Sequence, residues 1–412
     1  MIRIPWHAWY GDEWLELGFS SSWQVHDYWP ADAPDIGSAG IERAFDNPIG
    51  TSTIAELACG KHRVSIAVDD ISRPAPVARL MPSLMRRLEA AGVDLDDVRV
   101  VMGTGVHRPM LKEGIVKKIG QAAADRLDVH NNHPYDNVVD LGASDRGTPV
   151  RICRFFVEAD LKIGVGSIIP HPGPGFGGGA KVVVPGVASI ETVASMHEPG
   201  RLKTGLIDVD HNELRADIEQ MVRDKVGLDC VIDVVVNSRR EIAGLFVGDM
   251  VRAHRAGIRL ARRVYATEMP TEPVDIAICN AYPKDTDFLQ SRMALNVLAS
   301  SPRPVVREGG TIVIITASPE GRGYHGLYGP GMRYDRQRGQ ENGRVKPQTR
   351  QGNPIAYFSP HIAPADARCA AVFRTWDELI KYLREQHGDR ATVGVFPCGT
   401  IQLARESIAE PH

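Results

Sequence analysis

From Arg63 onward the chain alternates short apolar runs with stretches whose apolar residues recur at helical spacing. Val64 to Val68 predicts a strand ending in Asp69-Asp70, and Val77 to Ala91 predicts a helix stopped by Gly92, with Pro82 marking a kink or a late start. Val98 to Met102 predicts a second strand. It runs into Gly103-Thr104-Gly105-Val106-His107-Arg108-Pro109, after which Leu111 to Ala124 reads as helix. A third strand, Leu161 to Val165, leads into a glycine-rich segment. Near-continuous apolar strands alternating with helices predict a parallel sheet covered on both faces. Ligands of such sheets bind outside the carboxyl ends of the strands, so the three loops are expected to share one site.

Between Asp208 and Ala261 lie helical stretches and the strand Cys230 to Asn237; Glu268 to Pro273 then interrupts the pattern with two prolines. Beyond it, Val274 to Cys279, Gly310 to Ala317 and Thr392 to Pro397 predict strands, and Phe288 to Ser300 and Trp376 to Gln386 predict helices. The expected fold is therefore α/β with two domains, 1–268 and 274–412, joined by a linker at 269–273. Each has a mainly parallel sheet flanked by helices, and the active site is expected in the cleft between them. Residues 1–45 read as short strands and loops, with Trp14 to Phe19 as one strand. Gly321 to Asn353 lacks periodicity and is long for a plain connection, which suggests a lid or binding loop.

Composition narrows the function classes. At 412 residues the chain exceeds the size, about 250–300 residues, at which a single core stops growing. Its 43% hydrophobic and 24% charged residues are ordinary for a globular protein, and 48 basic against 51 acidic residues give no basic footprint for nucleic acid or anionic membrane. The six cysteines are scattered without a Cys-x-x-Cys pair, so they are expected to be reduced and mostly buried. Neither a signal peptide nor a run of about 18 apolar residues occurs, which predicts a cytoplasmic protein acting on a small molecule.

The candidate chemistry concentrates between His171 and His197. Gly173, Gly175, Gly177, Gly178 and Gly179 precede Lys181, and so many glycines imply backbone angles or close approaches that side chains would forbid. Glycine-rich turns can cradle phosphate, but Ala180 before Lys181 and Val182 after it break the Walker spacing. The run Val182 to Val184 suggests that Lys181 opens a short buried strand. Such a lysine is either a desolvated nucleophile or a stem lying along the strand with its ammonium in solvent or on a phosphate. His107 and His171 are candidate acid/base groups or hydrogen-bonded structural rings, His133 is a weaker candidate, and a lone His197 would need other donors to hold a metal. Ser72 is read as a helix cap or a site residue, and Arg73 as an oxyanion ligand or a partner of Asp69 or Asp70. In the second half, Asn280 to Asp285 and Gln290 form either a substrate-facing edge or an ordinary strand-to-helix loop capped by Asp285 or Asp287.

Taken together, Asp69-Asp70-x-Ser72-Arg73-Pro74, Gly103-Thr-Gly-Val-His107-Arg-Pro, the His171–Lys181–His197 segment and Tyr282-Pro283-x-Asp285 with Gln290 resemble the lactate racemase family of nickel-pincer nucleotide enzymes. The ten residues from His171 to Lys181 and the sixteen from there to His197 keep the family's order. The resemblance implies a nicotinate-derived mononucleotide joined through a thioamide to Lys181, with nickel held by two sulfurs, a ring carbon and His197. It implies that Asp70, Ser72, Arg73 and the five glycines hold the nucleotide, that His107 and His171 form the acid/base pair, and that Arg73 and Gln290 meet substrate. The implied reaction inverts the hydroxyl-bearing carbon of a 2-hydroxy acid by hydride transfer through a 2-oxo intermediate. Proteins that make the cofactor are the implied partners, and a homo-oligomer stays open.

Two positions depart from the family. Leu289 stands where lactate racemases carry a tyrosine, and Met293 where they carry a lysine, so a hydroxyl and a carboxylate-binding cation are absent. A 2-hydroxy acid other than lactate, such as an aldonate or an aryl-substituted acid, is the expected substrate, with Lys284, Arg292 or the Tyr324-His325-Tyr328 stretch offering replacement contacts. Net redox or dehydration by the same cofactor and a non-catalytic phosphate-binding module are the competing readings.

Overall fold

Strand Val64–Asp69 is buried along its whole length, as a near-continuous apolar run in a covered parallel sheet requires. In a computed structural model, describing residues 1–198, 205–328, 332–333, 352–367 and 370–408, it lies inside a six-stranded sheet. The order across that sheet is Asp128–Asn131, Val98–Gly103, Val64–Asp69, Leu161–Ser167, Cys230–Val236 and Ile242–Gly248. All neighbours are parallel except the last pair. The chain builds outward from Val64–Asp69 to one edge and then returns to build toward the other. Its topological switch point therefore falls between Val64–Asp69 and Leu161–Ser167, whose carboxyl ends carry Asp69-Asp70 and the glycine-rich segment.

This sheet belongs to a unit spanning Ala33–Ala261; the second unit combines Met1–Asp32 with Arg262–His412. In the second unit the order is Ala371–Phe373, Ile355–Phe358, Val306–Ile315, Val274–Asn280, Thr392–Phe396 and Gln24–Asp27, all parallel. Successive residues face opposite sides, so Ala277, Cys279, Ile312, Ile314 and Tyr357 enter one core while Ile276, Ile278, Val313, Ile315 and Phe358 enter the other. The second core also receives Ile4, Trp6, Leu17 and Trp23, together with Leu379 and Leu383 of helix Trp376–His387. Residues 1–32, read from sequence as part of the first domain, thus supply an edge strand and apolar cover to the other unit. The division comes at Ala261, inside helix Arg252–Tyr265, rather than at the proline-bearing stretch 269–273.

Local differences have local causes. Val77 to Ala91 divides into a 3-10 turn, Val77–Arg79, and helix Met81–Ala90 with Pro82 in its first turn, where a missing N–H costs nothing. Leu111 to Ala124 breaks at Gly120, whose φ of 87° is outside the helical region, giving Lys112–Ile119 and Gln121–Arg126. Phe288 to Ser300 is helical throughout but tightens to 3-10 over Arg292–Leu295. Of the suggested lid, 329–331 and 334–351 lie outside the described residues. Cys153, Cys230, Cys279 and Cys398 are buried free thiols and Cys59 is an exposed one. Among the described residues no helix is long and apolar enough to cross a membrane.

Deleting residues 1–32 removes the strand paired to Thr392–Phe396 and four large apolar side chains, each worth roughly 1.5–3 kcal/mol when buried. Hydrogen exchange read by mass spectrometry is expected to show protection falling roughly a thousandfold or more over Thr392–Phe396 and Trp376–His387. Val64–Asp69 and Leu161–Ser167 are expected to keep theirs.

Candidate active site

The switch point is closed by one carboxylate. Asp69 Oδ2 accepts hydrogen bonds from Ser167 N at 2.9 Å and Ser167 Oγ at 2.7 Å, tying the two strand ends together. Its Oδ1 lies 2.6 Å from Lys118 Nζ, on a side chain with no exposed surface. Lys118 also donates to the Arg73 carbonyl at 3.0 Å. Burial pushes the Lys118 pKa down, against the opposing pull of Asp69 and Asp70. Sequence reading passed over Lys118 and Ser167. The available signal was the position of Lys118 three residues after Ile115 on an amphipathic helix, which puts a charge on the apolar side.

Asp70, the next residue, turns to different partners. Its Oδ1 accepts from Ser72 N at 3.0 Å and from the Ser72 hydroxyl, and its Oδ2 lies 2.6 Å from His107 Nδ1. Burial works to raise the Asp70 pKa, but His107, Arg73 and Ser72 outweigh it and hold the carboxyl well below the usual range. Because a carboxylate only accepts, the His107 proton sits on Nδ1 and the neutral ring keeps its lone pair on Nε2. Ser72 does not cap a helix: its hydroxyl serves Asp70 and receives Arg73 Nη1 at 2.8 Å. Asp70, Ser72, Arg73 and His107 therefore form one connected group at the ends of two adjacent strands.

The glycine-rich segment opens as a narrow hairpin, with Pro170 opposite Phe176 and His171 opposite Gly175. Lys181 lies in a 3-10 turn, Gly179–Val182, and not at the start of a strand. The valines after it are buried, but Val183 and Val184 bond back to the Ala180 carbonyl, which winds the chain instead of extending it. The close approaches foreseen for the glycines are to the protein itself. A Cβ on Gly175 would stand 2.0 Å from the Asp208 carbonyl oxygen, and one on Gly178 would stand 2.7 Å from Asp233 Oδ1. The N–H groups of Gly173, Gly177 and Gly179 are donated to His171 Nδ1, the Ile169 carbonyl and the Asp233 carboxylate.

Three buried side chains that sequence reading did not single out hold this segment. Arg215, with no exposed surface, donates to the carbonyls of Pro174, Phe176 and Gly178. His254 Nε2 donates to the Gly177 carbonyl at 2.8 Å while Arg255 donates to its Nδ1, which fixes a neutral ring; burial keeps its pKa well below the ordinary value. Desolvation raises the Asp233 carboxyl to about 8, against the lowering effects of Gly179 N–H and Arg215. Arg215 and His254 occupy helix positions that face apolar neighbours such as Ile218, Met221 and Ile258, a displaced polarity visible in sequence.

Lys181 is half-buried, and its ammonium pKa falls to about 7 through desolvation and the positive charges of Arg73 and Arg215. His171 accepts the Gly173 N–H on Nδ1 at 3.2 Å, so its neutral ring carries the proton on Nε2, the opposite of His107. His197 caps the C-terminus of helix Ile190–Met196 and donates Nδ1–H to the Val193 carbonyl at 2.7 Å, which places its lone pair on Nε2. His133 is exposed beside Tyr135.

In the other unit, Asp287 caps helix Phe288–Ser291 by accepting from Gln290 N at 3.0 Å. Asp285 accepts instead from the backbone N–H groups of His7 and Ala8, at 3.0 and 3.1 Å. Gln290 and Lys284 are buried, Leu289 and Met293 half-buried, and Arg292 exposed. His325 packs on Tyr328, their ring centroids 4.7 Å apart.

Gly175→Ala is expected to destabilise the Ala33–Ala261 unit by about 2 kcal/mol or more, because a φ of 76° and a clash with backbone coincide there. Urea unfolding followed by circular dichroism measures it, and a loss below about 0.5 kcal/mol would contradict the packing described.

Comparison with known proteins gives the chain relatives in sequence and in fold. Residues 10–204 match the lactate racemase N-terminal domain. A lactate racemase of Lactiplantibacillus plantarum is 32% identical over 297 residues, 70% of this chain and 68% of that protein. One from Thermoanaerobacterium thermosaccharolyticum is 28% identical over 297 residues, 70% and 67% of the respective chains. The structure of the lactate racemase apoprotein from T. thermosaccharolyticum shares the fold, with a TM-score of 0.75 at 22% identity over 98% of this chain and 99% of that one. A Thermotoga maritima protein shares it with a TM-score of 0.61 at 18% identity over 84% and 96%. The Asp69-Asp70 corner, the His107 loop and the His171–His197 segment all fall inside the matched stretch, and this chain belongs to the lactate racemase family.

Proposed function

We propose that this protein is a racemase or epimerase of a 2-hydroxy acid that works with a nickel-pincer nucleotide joined to Lys181. The observation that carries the reading is Lys181 itself, a half-buried amine whose pKa of about 7 leaves a substantial uncharged fraction at neutral pH. The other residues fit the group as well. His197 has the tautomer of an Nε2 ligand, its Nδ1–H held by a carbonyl as in many metal-binding histidines. Among the described residues no three His, Cys, Asp or Glu gather as a metal site, so a metal at His197 would take its further donors from the bound group. When bound, the nucleotide supplies an acceptor for the hydride that leaves the substrate's hydroxyl-bearing carbon.

The chain's own residues then have distinct tasks. His107, oriented by Asp70, takes the substrate hydroxyl proton on Nε2, and the carboxylate stabilises the imidazolium that forms. His171 offers a hydrogen bond from Nε2–H to the oxygen on the opposite stereochemical course, and the proton taken by His107 is the one given back to the product oxygen. Arg73, braced by Ser72, is the cation for a phosphate or the substrate carboxylate. Gly173, Gly175, Gly177, Gly178 and Gly179 contribute by folding the segment tightly enough to present Lys181 and His171, since three of their N–H groups are already donated inside the protein. Gln290, Leu289 and Met293 select the substrate. With neither a tyrosine hydroxyl nor a lysine there, the favoured substrate is a 2-hydroxy acid other than lactate. Cofactor-making proteins are the proposed partners, in the cytoplasm.

Co-production with those proteins is expected to give a covalent adduct by intact mass and stoichiometric nickel. Lys181→Ala should carry neither, whereas His197→Ala should keep the adduct and bind nickel at least about tenfold more weakly. Wild-type nickel retention in His197→Ala would contradict the ligand assignment.

Chiral chromatography of a panel of aliphatic, aryl-substituted and polyhydroxylated 2-hydroxy acids tests the reaction. Inversion of the hydroxyl-bearing carbon with deuterium retained there in ordinary water is expected, and a keto or alkene product would count against it. Asp70→Asn is expected to lower kcat by about 10²–10⁴ with the adduct intact, because the orienting acceptor for His107 is replaced.

A further inference from the structure

Asp69 and Asp70 stand side by side at the end of their strand, and a buried and a half-buried lysine lie in their field with unlike fates. Lys118 Nζ contacts Asp69 Oδ1 at 2.6 Å and the Arg73 carbonyl at 3.0 Å. Lys181 Nζ makes no hydrogen bond or ion pair among the described residues. Asp70 is engaged by His107 and Ser72. The elements packed against the turn of Lys181 bring Asp69, Asp70 and Arg73 from the corner after Val64–Asp69, Arg215 and Glu219 from helix Glu213–Met221, and Asp233 from Cys230–Val236. His254 faces Gly179 in the same turn. Arg215 is directed at three carbonyls, with Glu219 4.0 Å away, so its charge stays close to Lys181.

We propose that Lys118 is a positioning residue: by occupying Asp69 as its counter-ion it leaves Asp70 to His107 and denies Lys181 a carboxylate partner, which keeps a substantial share of the Lys181 amine uncharged and nucleophilic. The same contact fixes the Arg73 backbone, so one buried ammonium sets both the shape and the charge of the corner. Without Lys118, Asp69 retains two donors from Ser167, and its unpaired carboxylate stabilises the Lys181 ammonium. The proposal rests on Lys181 being the reactive lysine of the function given above, but it is read without cofactor.

The test uses the full chain made without cofactor-producing proteins, labelled briefly with an amine-acylating reagent over a pH series. Peptide mass spectrometry follows Lys181, with the exposed Lys381 correcting for reagent decay. In the wild type the labelling midpoint is expected near 7, with reactivity lost as pH falls through that value. Lys118→Met is expected to raise the midpoint by about one unit or more, and adding Asp69→Asn to restore it. A purely structural role for Lys118 would move stability and leave the midpoint in place, and a folded Lys118→Met with the wild-type midpoint would overturn the proposal. Should Lys118→Met not fold, Asp69→Asn alone leaves the Lys118 ammonium uncompensated and is expected to lower the midpoint; an unchanged midpoint there overturns the proposal equally. If these shifts occur while co-production yields no adduct, the cofactor reading fails and the role of Lys118 is supported.

Discussion

The carboxylate of Asp69 is the joint on which the candidate site depends. A doubly wound sheet diverges at its switch point, and here the two diverging strand ends are pinned by Ser167 bonding to the last residue of Val64–Asp69. Because the pin is buried, its charge must be met, and Lys118 meets it with a side chain wholly withdrawn from solvent. Removing one partner of such a pair costs about 3–5 kcal/mol, which binds the helix Lys112–Ile119 to the corner that holds Asp70, Ser72 and Arg73. The corner is therefore braced from two sides by groups of the protein itself.

A second buried cation works on the other side of the switch point. Arg215 collects the carbonyls of alternate residues of the glycine-rich segment, and His254 takes one of those left between. Glycine permits the backbone angles, but glycine alone would leave the segment a flexible loop; it is the donors from two helices that choose one conformation. The positive charge needed for that choice also reaches Lys181. The same guanidinium thus adds to desolvation and Arg73 in lowering the Lys181 pKa.

Much of the first unit was legible because strands buried on both faces read as continuous apolar runs, and each ended in a loop dense with polar residues. His107 and Asp70 stood out as residues at strand ends, and their direct contact joins two of the three loops expected to meet. Lys118, Arg215, Asp233 and His254 did not stand out, since a polar residue inside an amphipathic or apolar element looks like noise until its partner, distant in sequence, is known. The strand reading of Lys181 failed for a related reason: three valines favour extension, yet the left-handed glycines before them set the chain winding. The role of residues 1–32 was illegible because Gln24–Asp27 finds its neighbour almost a chain length away.

That pairing has a consequence for how the protein is made. Gln24–Asp27 leaves the ribosome about 365 residues before Thr392–Phe396, so at ordinary synthesis rates the edge strand waits on the order of 20–70 s for its partner. In the later part of that interval, once Ala261 has emerged, Ala33–Ala261 has everything it needs to fold, while Trp6 and Trp23 still have no core to enter. The nascent chain thus passes through a state with one finished unit and an unpaired, tryptophan-bearing segment ahead of it. This is where crowding, chaperones and aggregation would act on it.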